Sequence, residues 1–330
     1  MTDDRPPAAL AFDLGGTELR AALVAASGTI LAFASAATLA KAGPAAVIEQ
    51  MVALAGTVQA HAPAVRLLGV GVGAPGPLDP EEGVVLDAPT LDGWRQVPLA
   101  ERLGARLGRS VRIENDANAA ALGEWRYGAG RGTRSMVFVT VSTGIGGGII
   151  AGGRILHGRR GLAGEIGHMA ITGESRPCFC GAIGCFEAVA SGSALGEEAT
   201  RATAPGDGSD LRRRSEDGPV SARHVVEAAR AGDLKALALL DAEARWLGIG
   251  FTNLLHLYSP EVIVVGGGLS NGLDLMAHGI TTTIGARAMR PYRDVPVRRA
   301  TLGNHAGLIG AASLILAGDG EAISREANHG

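Results

Sequence analysis

His168, Cys178, Cys180 and Cys185 stand close together in HMAITGESRPCFCGAIGCFE, and these three are all the cysteines of the chain. An odd count argues against paired disulfides, and three thiolates with one imidazole complete a tetrahedral Zn²⁺ shell. The plain alternative is three incidental reduced thiols beside a surface histidine; clustering at ligand spacing among Gly and Pro turns speaks for the metal. Four protein ligands leave no open position for water, so such an ion is structural rather than hydrolytic. A second candidate is Asn115-Asp116, between the apolar strand SVRIEND and the helix ANAAALGEW. A carboxylate there can take a proton from a substrate hydroxyl, but Asp is equally a favoured helix N-cap, and spacing does not separate the two. The third is a set of glycine turns: Asp13-Leu14-Gly15-Gly16-Thr17, Ser142-Thr143-Gly144-Ile145-Gly146-Gly147-Gly148, and Gly266-Gly267-Gly268. Backbone N–H groups in such turns can face phosphate oxygens, the Thr17 and Thr143 hydroxyls add donors, and Asp13 can hold Mg²⁺ through water. Each turn alone reads as a hairpin; their repetition is what points to a ligand.

Two other matches mislead. Gly71-Val72-Gly73-Ala74-Pro75-Gly76 fits G-x-G-x-x-G after a strand, but Pro75 and Pro77 keep the turn from opening into the helix that dinucleotide binding needs. Gly268-Leu269-Ser270-Asn271-Gly272 fits the nucleophile elbow G-x-S-x-G, with Asp294 and His305 downstream in hydrolase order, and stands as a rival esterase reading. Lysine occurs only at Lys41 and Lys235, after Ala40 and Leu234, so neither a phosphate-binding loop ending in Gly-Lys nor a V-A-I-K strand is present.

The elements that must position these residues are those of a two-domain α/β protein. A chain of 330 residues is long for one domain, and 46% hydrophobic residues with mean hydropathy +0.19 exclude a disordered chain. Apolar stretches break before the roughly 18 residues of a membrane span. The balance of 30 basic against 33 acidic residues, net −3, lacks the electrostatic footprint of a nucleic-acid binder. The opening MTDDRPP lacks the layout of a secretory signal, so a cytoplasmic protein without nucleic-acid or membrane partners is expected. From Ala8, AALAFDLGGTELRAALVAASGTILAFAS reads as a β-meander, and SMVFVTVSTGIGGGIIAGGRIL repeats the plan later, which implies two similar domains. Residues 45–60 read as a helix with Val47, Met51, Leu54 and Val58 on one face, followed by strands over 67–72 and 110–114. Residues 201–220 read as a surface loop, 225–258 as two helical segments broken near Gly232-Asp233, EVIVVGGG as a buried strand followed by a helix, 307–316 as a helix, and 319–330 as a polar tail that frays.

Together, Asp13 to Thr17, Asn115-Asp116, Thr143 to Gly148, Glu165-Ile166-Gly167-His168 and Cys178-x-Cys180-Gly181-x-x-Gly184-Cys185-x-Glu187 resemble the ROK family of bacterial sugar kinases and repressors, over Ala8 to Leu316. The resemblance implies the actin-like ATPase/hexokinase fold: two similar α/β domains around a cleft, one of residues 1–116 with the returning 303–330, the other of 117–302. It implies Asp116 as general base, and Asn115, Glu165, His168 and Glu187 as sugar ligands. It gives Asp13, Gly15, Gly16, Thr17, Thr143, Gly144, Gly146, Gly266, Gly267 and Gly268 to ATP and Mg²⁺. Phosphoryl transfer needs chiefly positioning and charge neutralisation, which N–H groups and Mg²⁺ supply without lysine. His168 serves twice if one ring nitrogen binds zinc and the other donates to the sugar. Glu18 departs from the Lys or Asn of many relatives and is expected to point away from phosphate. Only 12 residues precede Asp13, which leaves no room for the helix-turn-helix of the family's repressors.

The expected activity is ATP-dependent phosphorylation of a hexose, foremost glucose to glucose 6-phosphate. N-acetylmannosamine or N-acetylglucosamine kinase is the neighbouring reading and a non-catalytic sugar sensor the one of another class. Residues 88–97 with Trp94, or the loop 159–164, are the candidate readers of the sugar 2-position. A dimer or tetramer is implied by the resemblance alone.

Overall fold

The computed structural model describes residues 5–62, 64–173, 176–203, 207–215 and 218–316. They fall into two compact units: the described residues of Met1–Tyr127, His157–Ala163 and His305–Gly330, and those of Gly128–Leu156 and Gly164–Asn304.

In the first unit, strands Pro7–Leu14 (β1), Glu18–Ala25 (β2) and Ile30–Ala37 (β3) form the expected antiparallel meander. Helix Gly43–Ala60 (α1) buries Val47, Met51, Leu54 and Val58, as the 3.6-residue period requires. Strand Arg66–Ala74 (β4) then pairs parallel with β1. Three short strands, Leu78–Asp79 (β5), Val84–Asp87 (β6) and Arg95–Val97 (β7), make a separate antiparallel sheet. Helix Leu99–Leu107 (α2) leads to strand Val111–Asn115 (β8), parallel to β4, and on to helix Asp116–Tyr127 (α3). The main sheet runs β3-β2-β1-β4-β8.

The second unit repeats this order. Strands Met136–Val141 (β9), Ile145–Ala151 (β10) and Arg154–Ile155 (β11) are the meander, Val262–Gly266 (β12) lies parallel to β9, and Val297–Arg299 (β13) parallel to β12, giving β11-β10-β9-β12-β13. The duplication read from the sequence is therefore one of topology and strand direction. Helices Phe186–Ala190 (α4), Gly192–Ala202 (α5), Asp210–Arg214 (α6), Ala222–Arg230 (α7), Leu234–Tyr258 (α8) and Leu273–Arg287 (α9) complete the unit. The break between α7 and α8 falls where Gly232 has a positive φ and the Asp233 carboxylate accepts the Lys235 and Ala236 N–H groups as N-cap. No helix among the described residues is long and apolar enough to cross a membrane.

Residues 201–220 are not simply a loop. α5 continues to Ala202, Ser209 caps α6, and Val220 is buried, its N–H donating to the Thr200 hydroxyl. The spacing within 201–220 was too short to carry a period. The expectation for 319–330 falls outside the described residues.

The last helix, Ala306–Leu316, packs on β1, β4 and α3. A Cβ at Gly310 would collide with the Ala119 carbonyl and one at Gly71 with the Ala311 carbonyl, so backbone meets backbone at both places. The G-x-G-x-x-G match is thus a packing feature: Gly71 and Gly73 lie inside β4, Gly71 under this helix and Gly73 against Ala119 of α3.

Glu243 of α8 is enclosed in the second core, and its Oε1 has no hydrogen-bond partner. Burial pushes its carboxyl up to about 8, with Arg176 acting weakly against the shift. The folded state holds this proton more tightly than the unfolded chain, so the stability it lends is present below the ordinary value and lost as pH rises through the raised one. In urea melts, Glu243→Gln should therefore gain on the native chain between about pH 4.5 and about pH 8, with a constant gap above that.

Candidate active site

β8 ends at Asn115 and α3 begins at Asp116. The Asn115 Oδ1 accepts the N–H groups of Ala117 at 3.0 Å and Asn118 at 3.3 Å, so the side chain that caps α3 belongs to Asn115. Asp116 is exposed, and one carboxylate oxygen accepts the Ala117 N–H at 2.7 Å. The choice between cap and base that spacing left open is narrowed: Asn115 takes the two-donor cap, and Asp116 presents its carboxylate at the surface of the first unit.

In the second unit, Glu165 precedes a tight turn over Ile166–His168. Gly167 lies against the Ile145 carbonyl and the Glu187 Cβ, where any side chain would collide. Glu187, in the first turn of α4, accepts the Ile145 N–H at 2.8 Å and lies over Gly144. Glu187 and the turn that carries His168 thereby meet at the start of β10, with Glu165 at the head of that turn. The Glu187 contact adds to the cysteine knuckle a second anchor, on the glycine turn, that sequence reasoning missed because it joins residues far apart in the chain.

The four ligating atoms of His168, Cys178, Cys180 and Cys185 all lie within 4.8 Å of one another. The Cys180 and Cys185 sulfurs are 3.8 Å apart, and the Cys178 sulfur is 3.6 Å from His168 Nδ1. Tetrahedral zinc, with Zn–S near 2.3 Å and Zn–N near 2.05 Å, demands separations of about 3.8 Å and about 3.6 Å. Burial, chiefly, pushes the Cys185 thiol up to about 12, so only a cation beside it would keep it ionised at neutral pH. Nδ1 faces the sulfurs, which leaves Nε2 as the nitrogen free for another partner.

The three glycine turns differ. Gly15 spends its N–H on the Glu18 carbonyl and its carbonyl on the Thr38 hydroxyl, so the first turn is braced as a hairpin. Beside it the mostly buried Asp13 carboxyl is raised by desolvation, against the opposing charge of Arg20 at 3.6 Å; an added cation is the natural complement of such a group. Glu18 does not need to turn away: it pairs with Arg20 on the face that Asp13 shares, and Arg20 neutralises it. The second turn is Ser142-Thr143-Gly144 only; Gly146, Gly147 and Gly148 lie within β10. The third begins at the end of β12, where Gly267 has a positive φ and sits against the Val141 backbone.

Thr143 and Gly268, from the second and third turns, line one cavity of about 1150 Å³ in the second unit. Its other walls are the start of α5 at Gly192 and Ser193, the start of α7 at Ser221, and Arg230. Helix N-termini suit an anion. These walls escaped sequence reasoning; the serines that cap α5 and α7, Ser191 and Ser221, were the available signal.

The esterase reading loses its nucleophile. The Ser270 hydroxyl donates to the Gly267 carbonyl at 2.7 Å, and Ser270 is not among the described non-glycine residues with positive φ, which are Gln96, Arg160 and Ser259, so the strained elbow is missing. Trp94 is 1% exposed in the first core and is a packing residue, not a reader of ligand.

The sequence is 38% identical over 314 residues to a glucokinase of Streptomyces coelicolor, covering 92% of this chain and 96% of that one. The structure resembles that of a ROK family glucokinase from Streptomyces griseus in complex with glucose and AMPPNP, with TM-score 0.80 and 36% identity over 94% of this chain and 100% of that one. It also resembles the ROK hexokinase of Thermus thermophilus, with TM-score 0.79 and 37% identity over 92% and 96%. The family model for ROK matches residues 9–317, which takes in both repeated sheets, the Asn115-Asp116 junction and the whole cysteine knuckle. With motif, topology and family model agreeing over the same span, the chain belongs to the ROK family.

Proposed function

We propose that this chain is an ATP-dependent hexose kinase that converts glucose to glucose 6-phosphate. The observation that carries the reading is the whole-chain likeness to a glucokinase seen with glucose and AMPPNP, together with an intact junction, knuckle and glycine turns. Asp116 takes the proton of the attacking sugar hydroxyl. The new O–P bond forms at the γ-phosphorus as the bond to the β-phosphate oxygen breaks, and ADP leaves. Asn115, Glu165, His168 through Nε2, and Glu187 hydrogen-bond the other hydroxyls and fix which one attacks. The cavity behind Thr143 and Gly268 receives the nucleotide, with Gly144, Gly266 and Gly267 shaping the two turns that present those residues, and Gly16 and Thr17 offered to the transferred phosphate while Gly15 braces their hairpin.

Asp13 would hold Mg²⁺ through water, which when bound neutralises charge building on the phosphates. His168, Cys178, Cys180 and Cys185 would hold Zn²⁺, whose contribution is to fix the imidazole tautomer and the shape of the sugar pocket.

The test is ADP release by purified protein with Mg²⁺-ATP against glucose, mannose, fructose, N-acetylmannosamine, N-acetylglucosamine and no sugar. Glucose is expected to show the highest kcat/KM, about tenfold or more above the rest. Preference for an N-acetyl sugar would replace the substrate, and no turnover on any would make the chain a sensor.

A further inference from the structure

Glu114 immediately precedes Asn115-Asp116 and is almost fully buried, its side chain 3% exposed. Its two oxygens accept from three donors. Oε1 takes the Asn115 backbone N–H at 2.9 Å and the Asn118 amide Nδ2–H at 3.0 Å, and Oε2 meets His157 Nε2 at 2.6 Å. Asn115 and Asn118 flank Asp116 on either side, so one buried carboxylate ties down both ends of the turn that presents it. A buried charge persists only when paired and fully hydrogen-bonded, and the partner here is an imidazole from a distant part of the chain.

That partner arrives by an unusual route. His157–Ala163 belongs to the first unit although its sequence neighbours on both sides belong to the second. The segment is fixed in the first unit by the His157–Glu114 bond and by Arg160 Nε on Asp79 Oδ2 at 3.1 Å, while Gly161 sits hard against Leu78 and Pro80. The His157 carbonyl also accepts the Ala163 N–H at 3.0 Å, which holds the strap in a closed bend.

We propose that Glu114 and His157 are a positioning pair for phosphoryl transfer: His157, as the charged partner of Glu114, holds the Asn115–Asn118 turn so that Asp116 meets the sugar hydroxyl in the productive geometry. This rests on the reading of Asp116 as the base. Neither residue touches the reacting atoms; both act through the turn, so the consequence lies chiefly in kcat, through the alignment of Asp116, with only a small effect on sugar affinity through Asn115, one of four proposed sugar ligands.

The pairing is sensitive to pH in a definite direction. The charged groups acting on His157 among the described residues are Glu114 and Glu81, both acidic; the hydrogen bond to Glu114 is the largest influence and raises the imidazole, against partial desolvation. A raised histidine keeps its interaction below its ordinary value and loses it as pH rises through the raised one, so turnover should fall on the alkaline side.

The experiment compares His157→Ala, His157→Gln and Asp116→Asn with the native chain, reading kcat against pH, glucose KM, and glucose affinity by calorimetry. His157→Ala should lower kcat by about 10²-fold with glucose affinity within about threefold. His157→Gln, which still donates to Glu114 but cannot titrate, should recover much of kcat and lose the alkaline limb. Both histidine variants with native kcat and pH profile, beside an inactive Asp116→Asn, would overturn the pair alone. Loss confined to glucose affinity would also overturn it. Turnover surviving in Asp116→Asn would overturn the base reading and the pair with it. Glu114→Gln serves as the second variant if His157→Ala fails to fold, with the same kcat loss expected.

Discussion

Asp116→Asn should bind glucose as the native chain does and turn over about 10³- to 10⁴-fold more slowly, at the upper end of what a positioned base contributes. The substitution keeps size and shape while removing the charge and the ability to accept a proton. Folding is spared because Asn115 accepts both N–H groups that cap α3, and the one N–H that Asp116 shares, that of Ala117, can be accepted by an amide oxygen as well as by a carboxylate. Calorimetry with glucose and ADP release measured on one preparation separate the two effects. Turnover within about tenfold of native would remove Asp116 from the role, since a positioned base typically contributes about 10²-fold or more. A parallel fall in glucose affinity would mean that the carboxylate binds rather than deprotonates.

If His168 and the three cysteines hold zinc as proposed, stripping it should act on the other half of the reaction. Protein dialysed against a chelator, with metal content checked by atomic emission, should bind glucose about 10- to 100-fold more weakly, the usual effect of disturbing a group held by a metal site. The reason is placement: His168 carries both a ligand nitrogen and the opposite ring nitrogen, and Glu187 follows Cys185 by two residues. AMPPNP binding should change by less than about threefold, because the cavity is walled by α5, α7 and the two glycine turns rather than by the knuckle. Re-adding zinc should restore glucose binding. Unchanged glucose affinity in metal-free protein would confine the knuckle to a structural role away from the sugar.

What the sequence displayed plainly was whatever repeats or clusters locally. The meanders announce themselves through strand–glycine–strand alternation, and their partners β4 and β12 through unbroken apolar runs. Four ligands within 18 positions, His168 to Cys185, advertise a metal. What stayed hidden depends on pairing across distance. β5, β6 and β7 are two to four residues long and carry no period. The Glu187 bond to Ile145 spans 42 residues and the Glu114 bond to His157 spans 43, and no local pattern marks either. Gly146 reads as a turn residue in the sequence because glycine serves both turns and strands; the β9–β10 register, in which it pairs with Thr140, assigns it to a strand.

The helix Ala306–Leu316 also sets an order of events during synthesis. It is the last of the described elements to be made, yet it covers β1 and β4, which are among the earliest. The second unit, continuous from 164 to 304 apart from its opening meander, has all its parts while the ribosome is still translating. The first unit must wait with one sheet face bare, Ala9, Ala11 and Val24 among the side chains left uncovered. Nascent chains are therefore most exposed to chaperones and to aggregation through their earliest strands, and a premature stop upstream of Ala306 harms the beginning of the protein more than its end.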